Sequence, residues 1–315
     1  MNRRKVVDVV RKGLSDLGFD SAMIARDYDF ADFTGGAAQV RRIPLAAFSS
    51  YPRTYRNACA GLIFRDESQR SEEFVFQHRS LGAPLLLEVF DGELQPWAIG
   101  PEQAKPIGRP VPIDQTPDVF REHQADWTPD SLCRIKSLGE VKANRQLDFF
   151  DVGLLPVLSE FFQAKLKDLL ERAFSATASC YQQVHGTEPS IEYLFPYLFR
   201  FVTAKIFMDR ADARGWDNLS SARDVLEKSE SHSGSGLLAK LPRSYLHEDV
   251  LTEAWSSISR SFQFQNLSVP DLAFIYESTF INDATRRQLG VHSTPHGLAE
   301  YIVQQLPWDK LPIDK

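Results

Sequence analysis

The chain has 315 residues, 43% apolar and 25% charged, which excludes a disordered or collagen-like polymer and leaves length for one large domain or two of medium size. Its formal net charge of −6 at pH 7 excludes a surface that is basic throughout, so contact with nucleic acid has to come from a local patch. The longest apolar-looking run, 193–208, is interrupted by Pro196, Arg200 and Lys205 and falls short of the roughly 20 apolar residues a bilayer-spanning helix needs. The N-terminus has basic residues but no apolar signal core, so a cytoplasmic protein with no membrane partner is expected.

In chain order, Val6, Val7, Val10, Leu14 and Leu17 recur at helical spacing until Gly18, which predicts one N-terminal helix. Residues 59–64, 72–76 and 83–90 read as strands, and Asp91-Gly92 predicts a tight hairpin turn into a return strand over 93–99. Pro96 makes that return strand an edge candidate, because proline offers a neighbour no N–H. Six prolines between 101 and 130 predict a long surface connection with one short helix around Phe120.

Near residue 150 the period becomes 3.6. Leu155, Leu158, Phe162, Leu166, Leu169 and Ala173 form one face of a long helix. Ile191, Leu194, Phe195, Leu198, Val202 and Ile206 give a second, with Pro196 in its first turns or kinking it. Residues 227–236, rich in Ser and Gly, read as a flexible loop. Further helices are expected around Trp255, Ile258 and Phe262, and again from Val269-Pro270-Asp271 through Leu272, Ile275, Tyr276 and Phe280. Thr294-Pro295 then reads as the cap and first position of a helix burying Leu298, Ala299, Ile302, Val303 and Leu306. The expected architecture is an α+β N-terminal domain over 1–150, a mainly α-helical domain over 151–285, and a lone helix with its linker over 286–315.

The common catalytic signatures are missing: no G-x-x-x-x-G-K-[ST], no G-x-G-x-x-G after a strand, no G-x-S-x-G and no H-E-x-x-H. Cys59, Cys133 and Cys180 lie far apart without a C-x-x-C; they suit a reducing compartment, suggest neither a disulfide framework nor a zinc cluster, and read as small buried hydrophobes. His292 and His296 straddle a predicted helix start and would not share its face, so no metal is expected there. Glu140-Val-Lys142 has the spacing with which a carboxylate and a lysine flank a divalent cation in nucleases, and the competing reading is a solvated charged turn.

Two stretches carry a resemblance. The first runs from Ala273 through Tyr276-Glu277 to Phe280 and continues from Arg286-Arg287 through Gly290, Val291, His292, Ser293, Thr294 and Pro295 to Val303. It is similar to the segment upstream of the catalytic domain in the amino-methyltransferases that methylate adenine N6 in DNA, from restriction–modification and phage-defence systems. Tyr276-Glu277 matches the family's "iYE" helix, and Gly290 to Val303 match its "lGxyyTP" turn and following helix, with His292 in place of a usual aromatic. The second, Leu198 to Arg210, resembles the helix preceding that domain, with Arg200 and Asp209-Arg210 in matching positions. Both lie within 194–306, and residues 1–150 take no part.

The resemblance implies that Ser293, Thr294 and Pro295 lie beside S-adenosylmethionine, that the helical region positions DNA, and that Arg286 and Arg287 contact phosphate, the alternative for the arginines being a solvated turn. The family's cofactor-binding strand and its [DNS]-P-P-[YFW] loop, which holds the flipped adenine, do not occur before Lys315. The expectation is therefore the N-terminal module of a larger DNA methyltransferase, inactive alone and completed by a catalytic domain in cis or in trans. A stand-alone helical interaction module of a defence complex and a divalent-metal nuclease domain remain as alternatives.

Overall fold

The N-terminal helix forms where the spacing predicts it. This α1 (Arg3–Asp16) buries Val6, Val7, Val10 and Leu14. Gly18 stops it at φ +95°, a left-handed conformation open to a residue without Cβ. The computed structural model describes residues 3–32, 39–66, 69–138, 153–210, 221–234, 236–260 and 263–265, with Trp216, Leu219 and Asp271 as single positions.

Two long strands, β1 (Ile24–Asp32) and β2 (Gln39–Phe48), follow and pair antiparallel. No strand was expected there. The third strand, β3 (Ala58–Phe64), lies antiparallel to β2 over Leu45 to Phe48. Residues 72–76, expected as a strand, instead form the helix α2 (Ser71–Phe76). The topology requires it: β4 (Leu85–Phe90) is parallel to β3, and parallel strands need a crossover rather than a hairpin. Glu72 and Glu73 in its first turn suit the positive end of a helix.

Beyond the turn, β5 (Glu93–Ile99) pairs antiparallel with β4 in the expected hairpin. Asp91 at φ +47° and Gly92 at φ +82° give the two left-handed central residues such a turn demands. Pro96 does not mark an edge, because β6 (Ala104–Pro106) and β7 (Val111–Pro112) both pair with the outer side of β5. The Ile99 N–H donates to the Pro84 carbonyl (2.8 Å), so by alternation Pro96 faces the outer side, opposite the gap between β6 and β7. Its missing N–H falls in that gap, and its carbonyl accepts from Ile107 (2.8 Å). The sheet order is β1-β2-β3-β4-β5-β6, with β7 alongside on β5.

The proline-rich stretch is more than a surface connection. It holds α3 (Thr116–Glu122) around Phe120, as expected, and runs into α4 (Pro129–Leu138). Phe120, Trp127 and Leu132 pack with Val10 and Leu14 of α1 against Leu45, Leu62, Leu87 and Leu94, covering one sheet face. The other face, with Phe30, Ile43, Phe48, Ile63 and Leu86, shares one continuous apolar cluster with the helical region.

That region starts with α5 (Leu154–His185), which buries Leu158, Phe162, Leu166, Leu169 and Ala173 and continues past the expected face to Thr177 and Tyr181. Leu155 is only partly buried. In α6 (Ile191–Asp209), Leu194, Leu198, Val202 and Ile206 are buried as expected. Ile191 is exposed, and Tyr197, Phe201 and Ala204 join the core instead. Pro196 lies inside this helix, in its second turn.

Most of the loop expected over 227–236 is helical, because α7 (Ala222–Ser233) runs to Gly234. A capping box starts it: Ser221 Oγ accepts from the Asp224 N–H and Asp224 Oδ2 from the Ser221 N–H, both at 3.1 Å. Ser229 donates to the Arg200 carbonyl (3.1 Å), tying it to α6. After α8 (Leu237–Lys240), α9 (Glu248–Ser259) packs Val250, Leu251, Ala254 and Ile258 inward. Phe262 and the helices expected over 272–280 and 295–306 lie outside the described residues. The chain thus has the expected class: an α+β region followed by a mainly helical one.

Candidate functional site

The described residues bring polar and thiol side chains together around the segment linking β2 to β3. Tyr28 Oη donates to the Arg53 carbonyl (2.9 Å), and the Arg53 guanidinium donates to the Ala22 carbonyl (2.6 Å), which pins this segment to the sheet. Two residues on, the buried Tyr55 ring stacks on Phe162 of α5, with centroids 4.0 Å apart and planes at 11°. Its hydroxyl donates to Asp271 Oδ1 (2.8 Å) and lies 3.2 Å from Ser159 Oγ. The Arg56 guanidinium donates to the same Asp271 oxygen (3.0 Å). Asp271 has no exposed surface, so its charge is balanced by this pairing and not by water. Burial first, and then the Asp271 carboxylate, push the Tyr55 hydroxyl above its usual range, so it is a donor at every physiological pH.

Lys136 of α4 approaches the same segment. It is 1% exposed, and its ammonium donates to the carbonyls of Tyr55, Arg56 and Ala58, the last two at 2.9 Å. Burial pulls its pKa from 10.5 down to about 7. In the ammonium form, three carbonyl acceptors replace the lost water and use all three N–H bonds, so Lys136 holds the backbone. Two glycines permit this packing. A Cβ at Gly82 would lie 2.3 Å from the Tyr55 carbonyl oxygen, and one at Gly153 would lie 2.3 Å from the Lys136 carbonyl oxygen. The start of α5 is thereby held against the end of α4.

Cys59 of β3 and Cys133 of α4 meet beside Lys136, with their sulfurs 3.7 Å apart. Cys59 is buried, Cys133 and Cys180 only partly so, and the expectation of small buried hydrophobes holds for the first alone. The hydrogen bond from Cys59, then the Ser49 hydroxyl and the Lys136 charge, pull the Cys133 thiol below its usual range, against the opposing effect of burial. The hydrogen bond to Cys133 and burial push the Cys59 thiol up. One sulfur is thus disposed to ionise and the other to keep its proton.

Several other charged side chains are paired. Glu88 of β4 is buried and accepts from Arg65, Ser71 Oγ (2.8 Å) and Trp97 Nε1 (2.9 Å). On the first hairpin, Arg41 pairs with Asp32 (2.5 Å), Arg42 with both oxygens of Asp29 (2.6 and 2.7 Å), and Arg26 with Asp8.

Of the residues matched in the second resembling stretch, Arg200 lies 3.6 Å from Glu230 of α7. Asp209 accepts from Lys205 (2.6 Å) and from the Phe264 backbone N–H (2.7 Å). Burial pushes the Asp209 carboxyl up and both partners oppose that shift. The expected cofactor residues Ser293, Thr294 and Pro295, the expected phosphate contacts Arg286 and Arg287, the histidines His292 and His296, and Glu140 and Lys142 all lie outside the described residues. Among the described residues, no group of three or more His, Cys, Asp or Glu side chains could hold a metal ion, and no helix is long and apolar enough to cross a membrane.

Sequence reasoning passed over Tyr55 and Lys136, used Asp271 only to mark a helix start, and treated the cysteines singly. No local pattern marks them, since their partners come from remote parts of the chain. No family model, curated protein or solved structure matches the chain.

Proposed function

We propose that this chain is the N-terminal module of a site-specific DNA adenine-N6 methyltransferase serving restriction–modification or phage defence. It helps to position DNA and to complete the S-adenosylmethionine pocket, and methyl transfer needs a catalytic domain supplied in cis or in trans. The observation that carries this reading is the ordered pair of resembling segments, together with the bond from the Phe264 N–H to Asp209. Asp209 lies at the end of the stretch 198–210, and Phe264 lies upstream of the stretch that starts at Ala273. Asp271, two residues before the stretch that starts at Ala273, is bonded to Tyr55 and Arg56. Such an anchor suits a module that must hold a pocket-lining segment at a defined place for another domain. A cytoplasmic setting goes with a DNA substrate.

Titration calorimetry of S-adenosylmethionine tests the reading, with the chain alone and then mixed with the polypeptide encoded immediately downstream. Binding is expected only in the mixture, and Thr294→Ala should weaken it about tenfold, as loss of one or two hydrogen bonds would. Absence of binding in a mixture shown to be folded and associated would leave the stand-alone interaction module as the better reading.

A further inference from the structure

We propose that Cys133 and Cys59 form a peroxide-reactive thiol pair, in which Cys133 is oxidised first and Cys59 closes the product to an intramolecular disulfide. The geometry carries the proposal. The sulfurs are 3.7 Å apart on different elements, β3 and α4, already in van der Waals contact, and a disulfide would bring them to roughly 2.05 Å. The two sites differ as the two roles require. Cys133 is partly exposed and reachable by a small oxidant, whereas Cys59 is fully buried and can meet only a partner already inside the fold. With Cys133 ionised, the Cys59 S–H can donate to it, and Ser49 and Lys136 further favour the thiolate.

The chemistry balances with hydrogen peroxide as the oxidant. The Cys133 thiolate attacks one peroxide oxygen, the O–O bond breaks, and the departing hydroxide takes up the proton that Cys133 had released, leaving a sulfenic acid and water. The Cys59 sulfur then attacks the Cys133 sulfur, the S–O bond breaks, and hydroxide leaves with the Cys59 proton as a second water. Two thiols and one peroxide give one disulfide and two waters: the sulfurs together lose two electrons and the peroxide gains them. The product would tie α4 to β3 beside the carbonyl cage of Lys136, where α4 also meets the start of α5.

The test uses the full chain and dilute hydrogen peroxide, followed by intact-mass and peptide mapping. The expected result is a loss of about 2 Da, a Cys59–Cys133 linked peptide, reversal by dithiothreitol, and Cys180 left reduced. In Cys59→Ala the sulfenic acid should persist at Cys133 and be trapped by dimedone, while Cys133→Ala should leave Cys59 unlabelled. The wild-type mapping needs no variant and decides the matter if either variant folds poorly. Both thiols remaining reduced while Cys180 oxidises, or Cys133 advancing to sulfinic acid with no linked peptide, would overturn the proposal.

Discussion

Several buried polar side chains of this fold are hydrogen-bonded inside it, and His78 shows what such burial costs on acidification. Burial, with a further contribution from Arg41, lowers its pKa from 6.5 to about 4, against the opposing bond to the Phe74 carbonyl and the charge of Asp32. Its Nδ1 lies 2.8 Å from that carbonyl and therefore carries the hydrogen of the neutral ring. The unfolded chain takes up a proton near pH 6.5 and the folded one only near 4, so the unfolded state binds more protons between the two. Stability from this residue is complete above pH 6.5 and is lost as the pH falls through that window, by about 3 kcal/mol in all. His78→Asn, which keeps a donor for the carbonyl, should flatten the dependence of urea-unfolding free energy on pH between 6.5 and 4 by about one proton relative to wild type. Superimposable profiles would show that His78 does not titrate in this way. At this scale the sequence revealed little. Cys59 and Cys133 are 74 positions apart, and Tyr55 and Asp271 are 216 apart, so only the folded chain shows that they meet.

Elements were legible where one periodic face decides the structure. The apolar spacing of α1 and α5 and the Asp-Gly turn between β4 and β5 point to what forms, because burial on one side and the turn's two left-handed residues are local properties. The misreadings have a common physical origin in tertiary context. The segment 227–233 is poor in apolar residues, yet α7 is held by the reciprocal Ser221–Asp224 cap and by Ser229 and Glu230 bonding to Arg200 of α6. The segment 72–76 has the residues of a strand but must cross between two parallel strands. Ser221→Ala should therefore destabilise the protein by about 1 kcal/mol. Amide exchange in the first turn of α7 should rise with it, while exchange in the distant β4 stays tied to global unfolding. Unchanged exchange in α7 would mean that packing alone holds that helix.

At the scale of the molecule, the α+β region and the helical region share a continuous apolar cluster from Phe30 and Leu86 through Phe162 to Ile258. Tyr55 belongs to that cluster, and its hydroxyl and the Arg56 guanidinium pair there with the buried Asp271. The class of the fold was legible from the change of period near residue 150. The expected pocket residues Ser293, Thr294 and Pro295 belong to a part of the chain whose structure is not described. The most direct test of the central claim is N6-methyladenine formation in duplex DNA, measured by mass spectrometry with isotopically labelled S-adenosylmethionine, for this chain, the polypeptide encoded immediately downstream, and the two combined. Labelled N6-methyladenine from the combination and from neither part alone is the predicted result; equal methylation by the downstream polypeptide without this chain would contradict it.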